Sequence, residues 1–262
     1  MTHELTRTRT GAAAVRDTAC GEVMHPGVGP RVEAEALYVR QSRLTERLAH
    51  TARVVLFDVG LGAGSNAFAA RAAALAVPGA QLEIVSFERD LGALHLALAH
   101  PADFGIDEAA AAAVRALLGD GVSSEAGCTW RLRHGELLPA LAAEPTRADV
   151  IFWDPFSPKA NPSLWTEEAF AAVRALAAPG ATLYTYSSST PTRVAMLLGG
   201  WAVGQGDAIG DKTETTAAAV DVADLARPLD ARFLARLSRS DAPMPEGAAG
   251  RAALAPQFTR DR

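Results

Sequence analysis

Residues 54–68 read VVLFDVGLGAGSNAF. An apolar run reaches Asp58, and glycines then stand at every second position: Gly60, Gly62 and Gly64. A short run rich in Val, Leu and Phe, ended by an acid and glycines, predicts a buried strand that turns tightly into a helix. Glycine permits positive φ and lets another group come close to bare backbone. In an open α/β sheet, ligands bind beyond the carboxyl ends of the strands, near the point where strand order reverses. A first strand–helix turn sits there, so this stretch predicts either a ligand turn or a turn that packs a helix on its strand.

Outward from this stretch the chain alternates. Strands are expected over 54–59, 82–87, 129–133, 149–154 and 181–186. Helical patterns lie between them, over 65–76, 91–100 with 107–118, 136–143 and 166–177, and 191–198 follows with proline at its first turn. Strand, helix, strand in this order means βαβ units and a parallel sheet covered on both faces. Two more strands, 201–206 and 215–220, have no helix between them and must pair antiparallel. The expected fold is α/β, a Rossmann-like and mostly parallel seven-stranded sheet with a terminal antiparallel strand and helices on both faces. Three parts follow: residues 1–50, a loose polar start and a helix over 32–50; residues 51–225, the core; and residues 226–262, a short helix and a loose tail.

The 262 residues are about half apolar, enough for one sizeable core. The net charge of −5 excludes a uniformly basic nucleic-acid binder but leaves room for a local patch. Cys20 and Cys128 stand alone, with no spacing for a metal or a disulfide framework, so no metal is expected. No signal-peptide order and no apolar run of roughly 18 residues is present, so the expectation is a cytoplasmic protein without a membrane span.

Two glycine fingerprints compete at the first turn. The dinucleotide pattern G-x-G-x-x-G/A would put Ser65 at its last place. The pattern present is acid-x-Gly-x-Gly-x-Gly, led by Asp58, and this spacing resembles the class I S-adenosylmethionine-dependent methyltransferases. Glu88 ends the next strand, where an acid would accept hydrogen bonds from both ribose hydroxyls; nicotinamide enzymes place an acid there too. Gly135-Glu136 closes the third strand. Many class I enzymes hold the adenine amino group with an acid there, and a first-turn helix acid is an equal explanation.

The segment DVIFWDPFSPKANPSLW (149–165) carries Asp154 to the same sheet edge. Pro155, Pro158 and Pro162 make the following loop stiff and non-helical. Such a loop can hold a carboxylate and an aromatic ring in place. Methyl transfer to an amine needs a free lone pair aligned with the S–CH₃ bond, and a carboxylate can orient the amine and take or share its proton. Asp154 is therefore the candidate catalytic residue, with Phe156 and Trp153 placed to pack on a ring or exclude water. The plain alternative is a capping and turn cluster.

The run DPFSPKANPSLWTEEAFAAVRALAAPGATLYTYSSSTPTRVAMLLGGW (154–201) resembles the methyltransferase domain of the MnmC-type enzymes, which finish the 5-methylaminomethyl group on 2-thiouridine at the tRNA wobble position. Asp154, Phe156, Pro158, Lys159, Asn161, Pro162, Leu164 and Trp165 fit the family pattern. DVGLGAGSNAF, including Asn66, fits its glycine motif, VSFERD its ribose-binding strand, and GEVMHPGVGPRVEAEALYVRQSRL its N-terminal segment. The resemblance covers roughly residues 21–220. It implies S-adenosyl-L-methionine over Asp58, Gly60, Gly62, Gly64 and Asn66, with Glu88 on its ribose and Glu136 near its adenine. It implies Asp154 on the substrate amine, with Phe156, Lys159, His25 and Tyr38 at the substrate, and tRNA as partner. His25 and Tyr38 either close over the site or pack the N-terminal segment onto the sheet. The chain is too short for the fused flavin oxidase domain of some members, so a stand-alone form is expected.

The sequence departs from the bifunctional members near the last strands, where GQGDAIGDKTETTAAA holds Lys212 as its one basic residue. Arg40, Arg43 and Arg47 share a helix face and form either a patch for RNA or a solvated face. The other readings are a methyl or aminopropyl transferase acting on a small amine or protein side chain, and a non-catalytic cofactor-binding domain. Ser187–Ser189 either line the site or cap the next helix.

Overall fold

Every residue of the strand read first, Val54–Val59, is buried. Val55, Phe57 and Val59 point into one apolar cluster and Val54 and Leu56 into another, the two-residue alternation of a strand covered on both faces. The computed structural model describes residues 2–25, 27–210, 212–237 and 239–259. In chain order its strands are β1 (His3–Arg7), β2 (Ala13–Asp17), β3 (Val54–Val59), β4 (Leu82–Glu88), β5 (Val122–Glu125), β6 (Cys128–His134), β7 (Ala148–Trp153), β8 (Ala177–Thr185), β9 (Ala202–Gly206) and β10 (Thr215–Ala219).

The main sheet has the order β5-β6-β4-β3-β7-β8-β10-β9. Strands β6, β4, β3, β7 and β8 run parallel, and β10 is antiparallel to both β8 and β9. Chain order reverses at β3, which has β4 on one side and β7 on the other. The crevice at the carboxyl ends of β3 and β7 is thus the topological switch point.

The α/β class is as expected, but the sheet has eight strands rather than seven. The addition is β5, a four-residue edge strand antiparallel to β6. VSSE is short, polar and mostly exposed, so it carries no alternation that sequence periodicity could register. The polar start, expected to be loose, forms the β1–β2 hairpin, whose Ala13 and Val15 are buried with Ala93, Ala97 and Phe104. Its small and Thr/Arg-rich residues hide the pattern. The tail also corrects the expectation: Ala248–Ala252 and Pro256–Thr259 are helical, and Ala248, Ala252 and Ala255 join the core. Residues 260–262 of that expected tail lie outside the described residues.

The helix expected over 32–50 is interrupted. Pro30–Glu33 leads into a wide π-helical stretch, Ala34–Arg40, and Leu44–His50 follows after Arg43 at φ 54°. Non-glycine residues rarely take positive φ. The break lets Tyr38 stay fully buried, with its ring 5.1 Å from that of Phe152. It also separates the three arginines. Arg47 is tied to Ser42 O and Thr182 Oγ1, Arg43 pairs with Glu46, and Arg40 is exposed. The three therefore do not form one continuous face: Arg40 and Arg43 are exposed and Arg47 is half-buried.

One buried ion network pins β4 and β6 to the segment before β7. Arg131 reaches Glu83 and Glu144, and Arg133 Nε lies 2.7 Å from Glu144, whose side chain is fully buried. Burial alone would raise the Glu144 carboxyl, but Arg131, Thr146 and Arg133 together hold it down at about 2. Removing Arg131 leaves the buried Glu144 charge to Arg133 and Thr146, at a cost toward the lower end of the about 3–5 kcal/mol of a broken buried pair. Arg131→Met is expected to lower the melting temperature by roughly 10 °C, and adding Glu144→Gln should recover part of that loss. Calorimetry on the two variants checks this; a single variant that melts with the wild type would sink the account.

Candidate active site

A cavity of about 810 Å³ opens at the carboxyl ends of the central strands. Its walls come from the glycine turn (Gly60 to Ala63, Ser65, Asn66), the end of β4 (Phe87 to Asp90), Gly135 to Leu137, and the loop after β7 (Asp154 to Ser157). The N-terminal segment closes another side with His3, Arg7, Asp17, Glu22, Met24, His25 and Glu33. Tyr186 and Lys212 complete it.

The glycines are needed first by the protein itself. Gly60, Gly62 and Gly64 have φ of 88°, 52° and 88°. A Cβ on Gly60 would lie 2.7 Å from Pro155 N, and one on Gly64 would lie 2.8 Å from the Phe68 ring. Gly62 N–H donates to Glu88 Oε2 at 3.0 Å, while Glu88 Oε1 accepts from Arg89 N and Asp90 N at 2.7 and 3.0 Å. Three backbone donors therefore fix this carboxylate at the end of β4, facing the glycine turn.

Asp154 lies across the cavity from Glu88. Its N–H donates to Val59 O, which holds the end of β7 against the end of β3. Its side chain is 5% exposed. Oδ2 accepts from Asn66 Nδ2 at 2.7 Å and lies 3.4 Å from His25 Nε2. Burial raises the Asp154 carboxyl, while His25, Asn66 and Tyr38 act against that rise and Glu33 adds to it. The other nitrogen of His25, Nδ1, lies 3.4 Å from Glu33 Oε2. Burial would push His25 down, yet Asp154 and Glu33 together lift it to about 9.

The loop after β7 is anchored on both sides. Trp165 Nε1 donates to Phe156 O, Tyr186 Oη donates to Pro155 O, and Ser157 N donates to Glu22 at 3.1 Å. Lys212 Nζ stands 4.4 Å over the centre of the Tyr186 ring.

Of the residues singled out from sequence, the cavity brings together His25, Gly60, Gly62, Asn66, Glu88, Glu136, Asp154 and Phe156. Glu136 precedes its helix without making a capping hydrogen bond and projects at the rim beside Arg89. Four others lie off the lining. Gly64 packs on Phe68. Tyr38 is buried beneath, its hydroxyl 3.5 Å from Trp153 O. Lys159 is exposed on the outside of the loop. Asp58 is fully buried and bonded to Ser86 Oγ at 2.7 Å, which in turn accepts from Trp130 Nε1. Ser189 caps the helix Thr190–Leu198, and the serines do not line the cavity. Sequence reading gave no site role to Tyr186 or the hairpin residues, and Glu22 and Glu33 entered it only as part of the resembling N-terminal segment. Glu33 reads as one polar residue beside a helical stripe, and no local signal marks its partner.

A donor with a charged amino-acid end and a ribose suits these walls. Asn66 Oδ1 is buried with no hydrogen-bond partner among the described residues. The atom is closed to the cavity, so the acceptors open to a ligand are Glu88 at the end of β4 and Glu136 at the rim. Asp58 Oδ1, under the turn, is likewise unpartnered among the described residues.

Burial raises the Asp58 carboxyl from 3.8 to about 7, with Asp154 and Glu88 adding to the rise and the Ser86 bond opposing it. Between those values the folded chain holds a proton that the unfolded chain has lost, so stability from this group falls as pH rises through that window. Asp58→Asn is expected to remove that slope, gaining on the wild type in melting temperature from about pH 4 to pH 7. Parallel wild-type and variant curves across that range would refute the assignment.

Comparison with known proteins agrees with this geometry. Residues 111–221 match the family model described as S-adenosyl-L-methionine-dependent methyltransferase. The chain is 31% identical over 194 residues to the tRNA 5-methylaminomethyl-2-thiouridine biosynthesis bifunctional protein MnmC of Burkholderia thailandensis, covering 70% of this chain and 30% of that protein. It is 31% identical over 217 residues to the protein of the same name from Pseudomonas entomophila, covering 74% and 33%. The chain thus spans about a third of the length of the curated relatives it matches. The crystal structure of MnmC2 from Aquifex aeolicus superposes with a TM-score of 0.74 at 25% identity, covering 90% of this chain and 75% of that one. Among the described residues, no helix is long and apolar enough to cross a membrane. The chain is an S-adenosyl-L-methionine-dependent methyltransferase with an MnmC-like methyltransferase domain.

Proposed function

We propose that the chain methylates an amine nitrogen, and that its acceptor is the 5-aminomethyl group of the wobble uridine in tRNA. The observation that carries the amine reading is Asp154, a buried carboxylate held by Asn66 and His25 at the switch point, facing the same cavity as Glu88. The tRNA reading rests on the names of the relatives, which describe tRNA 5-methylaminomethyl-2-thiouridine biosynthesis.

S-adenosyl-L-methionine supplies an electrophilic methyl group on a positively charged sulfur. The backbone of Gly60 and Gly62 would lie along it, Glu88 would take its ribose hydroxyls and Glu136 its adenine edge, while Asn66 is committed through Nδ2 to Asp154. Asp58 would act through the turn above it rather than by contact. Asp154 accepts an N–H of the incoming ammonium, takes or shares its proton and leaves the nitrogen lone pair free to attack. With the donor bound, transfer to that nitrogen would form the C–N bond as the C–S bond breaks, with the bonding pair left on sulfur. Phe156, beside Asp154 and partly exposed to the cavity, offers a ring face to a planar base. Lys159, on the outer side of the loop, is left to contact the body of a large substrate.

A second acceptor class, a small amine or protein side chain, is favoured by the charge of −5 and by the tied-down Arg43 and Arg47. Tight tRNA binding normally draws on several Lys or Arg contacts.

The test is transfer of labelled methyl from S-adenosyl-L-methionine to tRNA lacking the final wobble-uridine methyl group, with nucleoside analysis of the product. Label in 5-methylaminomethyluridine species is the expected result, and label on small amines or protein alone would overturn the tRNA reading. Asp154→Asn should lose roughly 10²–10⁴-fold in turnover while its calorimetric affinity for the donor stays close to wild type. Unchanged turnover would remove Asp154 from the mechanism.

A further inference from the structure

The backbone of His25 takes φ 50°, one of two non-glycine residues with positive φ among those described. Such a conformation persists only where the surroundings over-determine it, and it directs attention to what holds the ring. Both ring nitrogens face carboxylates: Nδ1 lies 3.4 Å from Glu33 Oε2 and Nε2 lies 3.4 Å from Asp154 Oδ2. A neutral imidazole carries one N–H and can serve one of them; the imidazolium serves both. The side chains of His25, Glu33 and Asp154 are 15%, 11% and 5% exposed, so water does little to screen the three charges.

We propose that Glu33 and His25 are positioning residues for Asp154: clamped between the two carboxylates, the His25 imidazolium keeps Asp154 ionised and leaves the cluster with one unbalanced negative charge, which selects an acceptor that arrives as a cation. This inference rests on the amine reading above and deepens it. Two carboxylates and one imidazolium sum to −1, and one substrate ammonium brings the buried cluster to neutrality. A neutral hydroxyl acceptor would leave the charge standing.

The groups around His25 agree. Tyr38, from the π-helical stretch, is held neutral because burial and the nearby carboxylates push its hydroxyl far up. Tyr186, after β8, is pushed up in the same way by burial and by Asp154. Asn66 is neutral and donates to Asp154. Lys212, from the β9–β10 connection, is the next cation, exposed at the rim over Tyr186, and it lowers both His25 and Glu33. Glu33 itself is held below its usual range because His25 outweighs its burial. Its neighbour is thereby lifted to about 9, which keeps the clamp charged through neutral pH.

Two measurements test this on the full chain. Proton NMR of the His25 ring should show a titration midpoint near 9 in the wild type, and Glu33→Gln should lower it by roughly 1–3 units. The pH profile of kcat/KM for amine methylation should show its acid limb moved up by roughly 1–3 units in His25→Gln, because Asp154 then protonates more readily. The loss at neutral pH should lie in KM for the amine more than in kcat at the profile's plateau. A wild-type His25 midpoint near 6.5, or an acid limb unmoved in His25→Gln while the wild type still methylates its amine, overturns this inference alone. A wild type that methylates no amine overturns the reading it rests on, and this one with it.

Discussion

The site depends on how closely the ends of β3 and β7 approach. Gly60 brings its Cα against the backbone of Asp154 and Pro155, at a distance that excludes any side chain. Asp154 N–H closes on Val59 O across the same gap. With the two strand ends fixed together, Asn66 at the start of its helix meets Asp154, 88 residues away, at 2.7 Å. A glycine turn is usually explained by the ligand it admits. Here the same bare backbone first lets the protein assemble the two halves of the switch point, and the ligand surface follows from that.

Electrostatics then divides the acids of the sheet edge by burial. Glu88 is satisfied by three backbone N–H groups and stays at the cavity surface. Asp58, two residues before Gly60, is shut beneath the turn with Ser86 as its hydrogen-bond partner, and burial favours its neutral form. Asp154 lies between these extremes, buried but countered by His25. Three carboxylates near one sheet edge thus acquire three environments.

The N-terminal segment supplies one side of the cavity. The β1–β2 hairpin packs on Ala93 and Ala97 and carries His3, Arg7 and Asp17 to the cavity. Glu22 ties the loop after β7 from 135 residues away, and the interrupted helix sets Glu33 and Tyr38 where they reach His25 and Trp153. At the opposite edge of the sheet, β9 is sheltered instead of functional. Gln257 bonds both Val203 N and Val203 O, and Arg227 O accepts from Gln205 N, so its outer backbone groups are not left as a template for another chain.

The strand–helix alternation, the glycine turn, Glu88 and the proline-stiffened loop at Asp154 were all legible in the sequence. Each is a local pattern: a two-residue or 3.6-residue period, or a residue whose own φ restricts it. The resemblance carried by residues 154–201 added the wobble uridine of tRNA as the expected acceptor. What tertiary structure alone decided is where side chains distant in sequence meet. Asp58 leads the glycine motif but is buried away from the cavity, because its face of β3 packs on Ser86 and Trp130. Lys159 falls outside because the loop that carries it turns over Ser157, which is held by Glu22. Glu33 and Glu144 look like ordinary surface acids until His25 and Arg131 arrive from other parts of the chain. Periodicity records which face of an element is apolar. It does not record the partner across a long loop, and buried charges are set by that partner.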